Sequence, residues 1–327
     1  MHKGLAAVVG VVWLASVGSG GAVRAETTPD PFLNFSSPIS NPVNFEDPRA
    51  TTEVRPIFVH HHISDEFADN ALQQGSVDVL AVQLRYAVTD RLALIATKDG
   101  YVWLRPNNPI QGVVQRSDGW ANLAFGAKYA FWRDPELNSM ATAGLRYEAP
   151  SGNAQGLQGP VFIKSALGDR GNGLLNPFVS GLWGTGPLHL MGYTGFRFPL
   201  SGVDTMFFDM SLHADYRSPE LTFAKPEWKI GTISPTIELN WVQALRSGDR
   251  IPLNAEGFDF FNLGSGHVAG TGVVTMAFGA RWRFVDNLQI WGHTGGVDLG
   301  AAYELPVTSR QWIFGWRVTT DLIFWLI

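Results

Sequence analysis

The chain has 327 residues and a formal net charge of −5, and it contains no cysteine. Without cysteine there is neither a disulfide framework nor a thiolate metal ligand, and an acidic balance argues against a nucleic-acid partner. Hydrophobic residues make up 45% of the chain and charged residues only 16%, so a large apolar surface must be buried in a core or in lipid.

Residues 1–25 have the pattern of a secretory signal peptide. Lys3 gives a short basic start, 5–17 is an uncharged apolar run, and Val23 and Ala25 are small residues at the positions that signal peptidase reads. We expect cleavage after Ala25. A retained anchor is the weaker alternative, because the run is short and glycine-rich for a membrane span. Beyond it no stretch of about 18 apolar residues occurs, so no membrane-spanning helix is expected.

Residues 26–50 form a proline-rich arm on the periplasmic side of the expected structure. Five prolines in this segment disfavour regular structure. Phe32, Phe35 and Phe45 leave two alternatives open, a plug tucked into the mouth of a barrel or a disordered tail, and composition favours the tail.

From residue 51 onward, apolar and polar residues alternate with a period of two. In "TMFFDMSLHADY" (205–216), one face is apolar through Leu212, whereas the other carries Asp209, His213 and Asp215. The apolar faces run five or six positions and often end in an aromatic residue, which is typical of strands that cross a bilayer. The opposite faces mix charges with small residues and suit a wet, narrow interior.

In lipid, only a closed barrel satisfies the backbone groups of every strand. The sequence therefore predicts an all-β fold, a closed antiparallel transmembrane β-barrel of about twelve strands over 51–327, with a soluble sandwich or lipocalin-like barrel as the alternative. The predicted strands are 53–63, 76–88, 91–104, 119–132, 140–149, 174–183, 188–198, 205–216, 232–245, 271–284, 287–305 and 311–327.

Three features complicate this strand assignment. Segment 160–167 is either an extra strand or a helix in a loop. The overlong strand 287–305 follows a predicted turn at 285–287 and is interpreted as bulged at Gly295-Gly296. The long loop 246–270 is one that could fold inward and narrow the barrel.

The last strand is predicted to place an aromatic-rich face in lipid, from Trp312 and Phe314 to Phe324. Such a strand resembles the C-terminal assembly signal of outer-membrane proteins, although this chain ends "FWLI" rather than on an aromatic residue. Outer-membrane lipids and the outer-membrane assembly machinery are therefore expected partners.

Two motifs carry a family resemblance. "DGWANLAFGAKYAFWRD", followed by a strand that ends "YEAPSGN", resembles the bacterial outer-membrane channels linked to the phenol meta-cleavage pathway. Lys128-Tyr129 and Pro150-Ser151-Gly152 match that family, whereas Ala121-Asn122 stands where it usually has an acidic residue. The resemblance implies an outer-membrane barrel channel and apolar or aromatic solutes.

The inward faces hold the chemistry that the sequence offers. The candidate pore-lining residues are Arg85, Lys128, Arg146, Glu148, Asp209, His213, Asp215, Glu238, Arg281 and Arg283, and we also expect Asp78, Arg317 and Asp321 to face inward. They either pair with one another in a filled barrel or line a water path that sets selectivity, and both alternatives stay open.

No catalytic, cofactor or metal site is predicted. His60-His61-His62 could bring at most two imidazoles to one ion, because neighbours on a strand point to opposite faces. An outer-membrane lipid hydrolase would need serine, histidine and a carboxylate or amide on the lipid side, where the sequence predicts mostly apolar residues.

The sequence thus predicts an outer-membrane channel for passive passage of small solutes. The first alternative is a closed barrel that serves as a structural anchor or a surface receptor, and a lipid hydrolase is less favoured.

Overall fold

The computed structural model describes residues 31–67, 74–107, 116–152, 173–222, 229–250, 252–260, 262–290 and 293–326. The expected signal peptide and the ambiguous segment 160–167 lie outside these residues. The strands of the one large sheet and its short appendage are β1 (Thr52–Ile63), β2 (Ser76–Ala87), β3 (Leu92–Lys98), β4 (Tyr101–Arg105), β5 (Ser117–Trp120), β6 (Leu123–Asp134), β7 (Ser139–Ala149), β8 (Leu174–Thr185), β9 (Leu188–Pro199), β10 (Met206–Tyr216), β11 (Leu221–Thr222), β12 (Lys229–Arg246), β13 (Gly272–Ile290), β14 (His293–Pro306) and β15 (Phe314–Leu326).

The sheet closes on itself through its first strand. Strand β1 is antiparallel to β15, with Thr52 opposite Leu326, and also antiparallel to β2, with Glu53 opposite Arg85. The other pairings are antiparallel between neighbours around the barrel. Closure leaves no unpaired edge in the apolar layer, which is the condition for strands in lipid.

We call each position around the barrel a stave. Two of the staves are each made of two short strands placed end to end. Strands β3 and β4 both pair with β2 and are separated at Asp99 and Gly100. Gly100 has φ of +117°, and a Cβ there would lie 2.6 Å from the Leu80 carbonyl oxygen, so glycine is required. Strands β5 and β6 continue one another in the same way. Within the described residues the barrel therefore has twelve antiparallel staves, which confirms the predicted fold class.

The two faces of each strand meet different surroundings. On β10 the apolar side chain of Leu212 is 49% exposed, whereas Asp209 and His213 on the other face are 0% and 2% exposed. The aromatic side chain of Phe278 on β13 is likewise 49% exposed. The barrel is thus apolar outside and polar inside, the arrangement of a membrane barrel.

The two ends of the barrel differ in the length of their connections. We call one the short-turn end, where the connections 88–91, 135–138 and 186–187 lie. The other is the long-loop end, which includes 64–75 and 247–271. Both ends of the described chain are at the short-turn end. No helix among the described residues is long and apolar enough to span a membrane.

The predicted turn at 285–287 is wrong. Strand β13 continues through it to Ile290, and β14 begins at His293. The irregularity lies on β13, where two shifts of register occur between Arg283 and Leu288, instead of at Gly295-Gly296 on the opposite strand. Extra residues on one strand of an antiparallel pair form a β-bulge. The change of parity in the sequence pattern indicated such a bulge but did not show which strand carries it.

The predicted face of the last strand is right from Trp316 onward and wrong before it. Phe314 and Trp312 are 0% and 3% exposed and point into the barrel. The pairing with β1 shifts between His62 and Ile63, opposite Gly315. One irregular residue moves every side chain before it to the other face.

Replacing Leu212 with arginine should lower the free energy of unfolding by about 2–4 kcal/mol, because the charge would lie on the lipid face near the middle of β10. Tyr216→Arg is the matched control, since this residue faces the same way at the end of the strand, and it should cost about 0–1 kcal/mol. Urea titration of the barrel folded into lipid vesicles measures both. Equal costs would contradict the assigned depth of the strand.

Candidate functional site

The described part of the N-terminal arm lies inside the barrel. Residues 31–50, which we call the plug, begin with a short 3-10 helix over Pro31–Asn34 and are otherwise irregular. Phe35 stacks on His189 at the short-turn end, with ring centroids 4.3 Å apart. The chain then rises to Ser40 and returns to β1 at the same end. The favoured interpretation of a disordered tail is wrong for these residues, whereas the alternative of a plug describes them.

The plug has no strand or helix to satisfy most of its backbone, so side chains of the barrel wall donate to its carbonyl oxygens. These hydrogen bonds run from Arg283 to Leu33, Arg281 to Ser37, Arg55 to Pro38, Arg317 to Ser40, Gln83 to Pro42, Arg146 to Val43 and Asn44, Lys128 to Asp47, and Thr142 to Pro48. Most of these donors are arginines, whose guanidinium groups only donate and can reach several acceptors at once.

Glu46 is the plug carboxylate that the wall binds. Arg85 Nε and Nη2 donate to its two oxygens at 2.8 and 2.9 Å, and Lys128 Nζ lies 2.7 Å from Oε1. All three side chains are at most 1% exposed. The plug's other carboxylate, Asp47, pairs instead with Arg49 of the plug itself.

A second set of contacts holds the tip of the plug. Glu238 accepts hydrogen bonds from the backbone N–H groups of Ile39 and Ser40 at 2.7 and 2.8 Å. His213 lies between Glu238 and Asp215, with its Nδ1 and Nε2 at 2.9 and 3.2 Å from the two carboxylates. These three predicted residues therefore form one buried chain that ends on the plug.

The remaining predicted residues bind side chains of the wall. Arg281 pairs with Asp321, and Arg283 pairs with Asp298, at 2.8 Å each. The other partners are Arg197 for Asp209, Asn176 and Tyr193 for Arg146, and Lys98 for Glu148.

All ten candidate pore-lining residues thus lie on the inner face, where they contact one another, their neighbours or the plug. That they line an open pore stays a prediction, because the plug occupies the lumen in this structure. Two inward arginines are not among the candidates: Arg197, which binds Asp209, and Arg55, which shares Asp321 with Arg281. Both stand on the inward parity of their strands, "TEVRPIFV" and "YTGFRF", and that parity was the signal available.

A second segment fills the lumen from the long-loop end. The described residues of this segment, 247–250, 252–260 and 262–271, are called the inward loop, and a buried stretch of it folds into the barrel, as the sequence suggested. Phe258 packs on Phe314 at a centroid distance of 4.9 Å. Glu256 accepts hydrogen bonds from Thr205 and from three N–H groups of its own loop, and burial raises the pKa of its carboxyl.

Arg317 is the point where the two segments meet. It donates to the Ser40 carbonyl of the plug, to Asp259 of the inward loop at 2.6 Å, and to Glu304 of the wall at 2.6 Å. The guanidinium is 0% exposed. One side chain therefore joins both closures of the lumen to the barrel.

The lumen also has an apolar side. Phe45 of the plug packs in a buried cluster whose wall members lie mainly on β7, β8 and β9. That cluster is Phe32, Phe35, Phe45, Ile95, Ala130, Met140, Phe178, Leu182, Met191 and Tyr193. The passage that the plug fills is consequently amphipathic, because apolar side chains lie beside its charges.

One expected inward residue faces outward. Asp78 shares the outer face of β2 with Leu80. The two residues are two positions apart on the strand, so their side chains point the same way. It accepts from His60 at 2.6 Å and lies beside Arg105, in a surface depression that also includes Ser76. The lipid face is therefore less purely apolar here than expected, but among the described residues no hydrogen bond joins Ser76 to this pair.

The three adjacent histidines are divided between the two faces. His61 points inward against Phe314, whereas His62 stacks on Trp316 outside the barrel. The described residues contain no group of three or more side chains arranged to hold a metal ion.

Comparisons with known proteins give likenesses of structure. No family model and no curated protein matches the chain. An outer-membrane channel from Pseudomonas putida F1 matches with a TM-score of 0.46 and 13% identity over 86% of this chain and 97% of that one. A FadL homologue from Pseudomonas aeruginosa matches with a TM-score of 0.33 and 10% identity, over 88% and 91%. CdiB from Acinetobacter baumannii matches with a TM-score of 0.38 and 9% identity, over 86% and 60%.

Arg317→Met should lower the free energy of unfolding by about 3–5 kcal/mol, because it leaves the buried carboxylates of Glu304 and Asp259 without their shared cation. Lys229→Met removes an exposed ion pair with Glu220 and should cost less than about 1 kcal/mol. Urea unfolding in vesicles again measures the difference. Similar values for the two variants would show that Arg317 does not hold the closed lumen together.

Proposed function

We propose that the chain is an outer-membrane channel for small solutes, closed at rest by the plug and the inward loop. In this orientation the short-turn end faces the periplasm and the long-loop end faces outward, as in outer-membrane barrels generally. The expected signal peptide and the apolar outer face support this location.

The observation that carries the proposal is how the plug is held. Between Phe35 and Ala50 it belongs to no strand, and the wall holds it through side chains such as Arg281 and Gln83. Its withdrawal would therefore leave every strand pairing of the barrel intact. A plug that can leave without unfolding the wall is suited to a gate.

The chemistry of the wall supports a passage that becomes wet. Buried ion pairs contribute little to stability compared with well-packed apolar residues. A lumen that always stayed closed would have no need for so many charges, whereas in an open barrel water and ions solvate Arg281 and Asp321 without cost to the fold. Twelve staves also lie between barrels of about eight, filled by their own side chains, and those of about sixteen, which leave an open channel.

Removing the plug should open the barrel. In a barrel with a shortened inward loop, deletion of 26–48 is expected to raise single-channel conductance severalfold in planar bilayers, because water then replaces the plug and the loop no longer closes the other end. Deletion of 26–30 in the same shortened-loop barrel keeps the plug and should leave conductance unchanged. A well-folded shortened-loop barrel whose conductance does not rise with the larger deletion would show that the plug does not block passage.

A reversible tether tests whether the plug moves in the intact protein. Asn240 Nδ2 donates to Ser40 Oγ at 2.8 Å, and the chain has no cysteine, so Ser40→Cys with Asn240→Cys permits a single disulfide between plug and wall. Oxidation should reduce solute flux into liposomes to the level of protein-free vesicles, and a reductant should restore it. Each single-cysteine variant is the control for the oxidant.

The filled lumen also favours the alternative of a closed barrel that serves as an anchor or a surface receptor. The same liposomes distinguish the two functions. If neither the well-folded wild-type barrel nor the reduced double-cysteine variant passes solute, the channel is ruled out and the anchor is left. If the oxidised tether passes solute as fast as the reduced form, the barrel is a channel but the plug is not its gate.

A further inference from the structure

We propose that Phe45 and Glu46 of the plug occupy the site of the barrel's own solute, and that this solute is a small organic carboxylate with an apolar, aromatic body. This inference rests on the channel function proposed above and names its substrate class. The plug would then be a tethered imitation of the solute, and the two would compete for one site.

The charged half of the site is built for a carboxylate. Arg85 presents two N–H groups to the two oxygens of Glu46, the side-by-side geometry that planar guanidinium and carboxylate groups adopt. Lys128 adds a third donor on the same carboxylate. Within the described plug no other carboxylate binds the wall's cations, because Asp47 is neutralised by Arg49.

Withdrawal of the plug leaves this half of the site without its anion. Lys128 loses its contacts with Glu46 and with the Asp47 carbonyl oxygen. Arg146 loses the plug carbonyls that it binds. Arg85 keeps Glu53 at 2.6 Å. Three cations then face one carboxylate in a narrow lumen, and such an imbalance attracts an anion.

The apolar half of the site adjoins the charged half. The Phe45 ring is 1% exposed and lies 6.1 Å from the Tyr193 ring and 6.4 Å from the His213 ring, between centroids. These distances and tilts are those of favourable aromatic pairs. Phe178 continues the same wall beneath the Arg146 guanidinium. An inorganic anion would use only the charged half, and an uncharged aromatic molecule only the apolar half.

The first experiment measures binding without transport. Isothermal titration calorimetry of the 26–48 deletion barrel should show that benzoate binds more tightly than acetate, which lacks the ring, and than benzyl alcohol, which lacks the charge. Lys128→Met should weaken benzoate binding about tenfold or more, because it removes a charged hydrogen-bond donor, and Lys128→Arg should restore most of it. Lys98→Met is the matched control, a lysine inside the same lumen that pairs with Glu148.

The second experiment tests competition in the full chain. Ser40→Cys places the only thiol of the protein in the buried plug. Benzoate should raise its labelling rate by a water-soluble thiol reagent severalfold, and benzyl alcohol should not. Glu46→Gln in the same background should label faster without any ligand, since the plug has lost its own carboxylate.

Different results overturn different claims. Equal binding of benzoate, acetate and benzyl alcohol, or equal losses from Lys128→Met and Lys98→Met, would overturn the solute site and leave the channel. Benzoate binding with no solute passage through the well-folded wild-type barrel would overturn the channel and leave a ligand site in a closed barrel.

Discussion

The structure depends on one requirement, that an irregular segment buried inside a barrel must still have its backbone carbonyl groups hydrogen-bonded. Proline leaves the plug without a regular structure of its own, so apart from Arg49, which donates to the Phe32 and Phe35 carbonyls, most donors come from the wall. Arginine supplies them, as when Arg146 binds the carbonyls of both Val43 and Asn44. The hydrogen-bond donors inside this barrel therefore fit the backbone carbonyls of a protein segment as well as they would fit water.

That requirement also explains how the two closures of the lumen depend on each other. Arg317 needs acceptors from the plug, the inward loop and the wall to offset its burial. If the plug withdraws, Arg317 loses the Ser40 carbonyl oxygen, and water or a solute must replace it. Asp259 then shares an arginine that has become accessible, so a change at the short-turn end alters the environment of the inward loop.

The sequence predicts the part of this structure that repeats. Twelve staves and their two faces follow from alternation, because lipid and lumen impose it on every strand. What alternation cannot locate is a single extra residue, and so Phe314 was assigned to the wrong face and the turn after β13 was placed too early. The plug has no period at all, and its composition is that of a disordered tail. Only the three phenylalanines Phe32, Phe35 and Phe45 kept a plug open as an alternative.

The position of the plug in the chain separates the formation of its contacts from the folding of the barrel. The plug precedes β1, yet it binds side chains as distant as Arg317, 277 positions after Ser40. Its site draws on Arg85 near the start of the wall and on Arg317 in the last strand, so it is complete only after β1 has paired with β15. The full set of plug contacts can consequently form only once the barrel has closed. Because those contacts are side-chain hydrogen bonds and not strand pairings, they can be released without dismantling the wall, which is the physical condition for a gate.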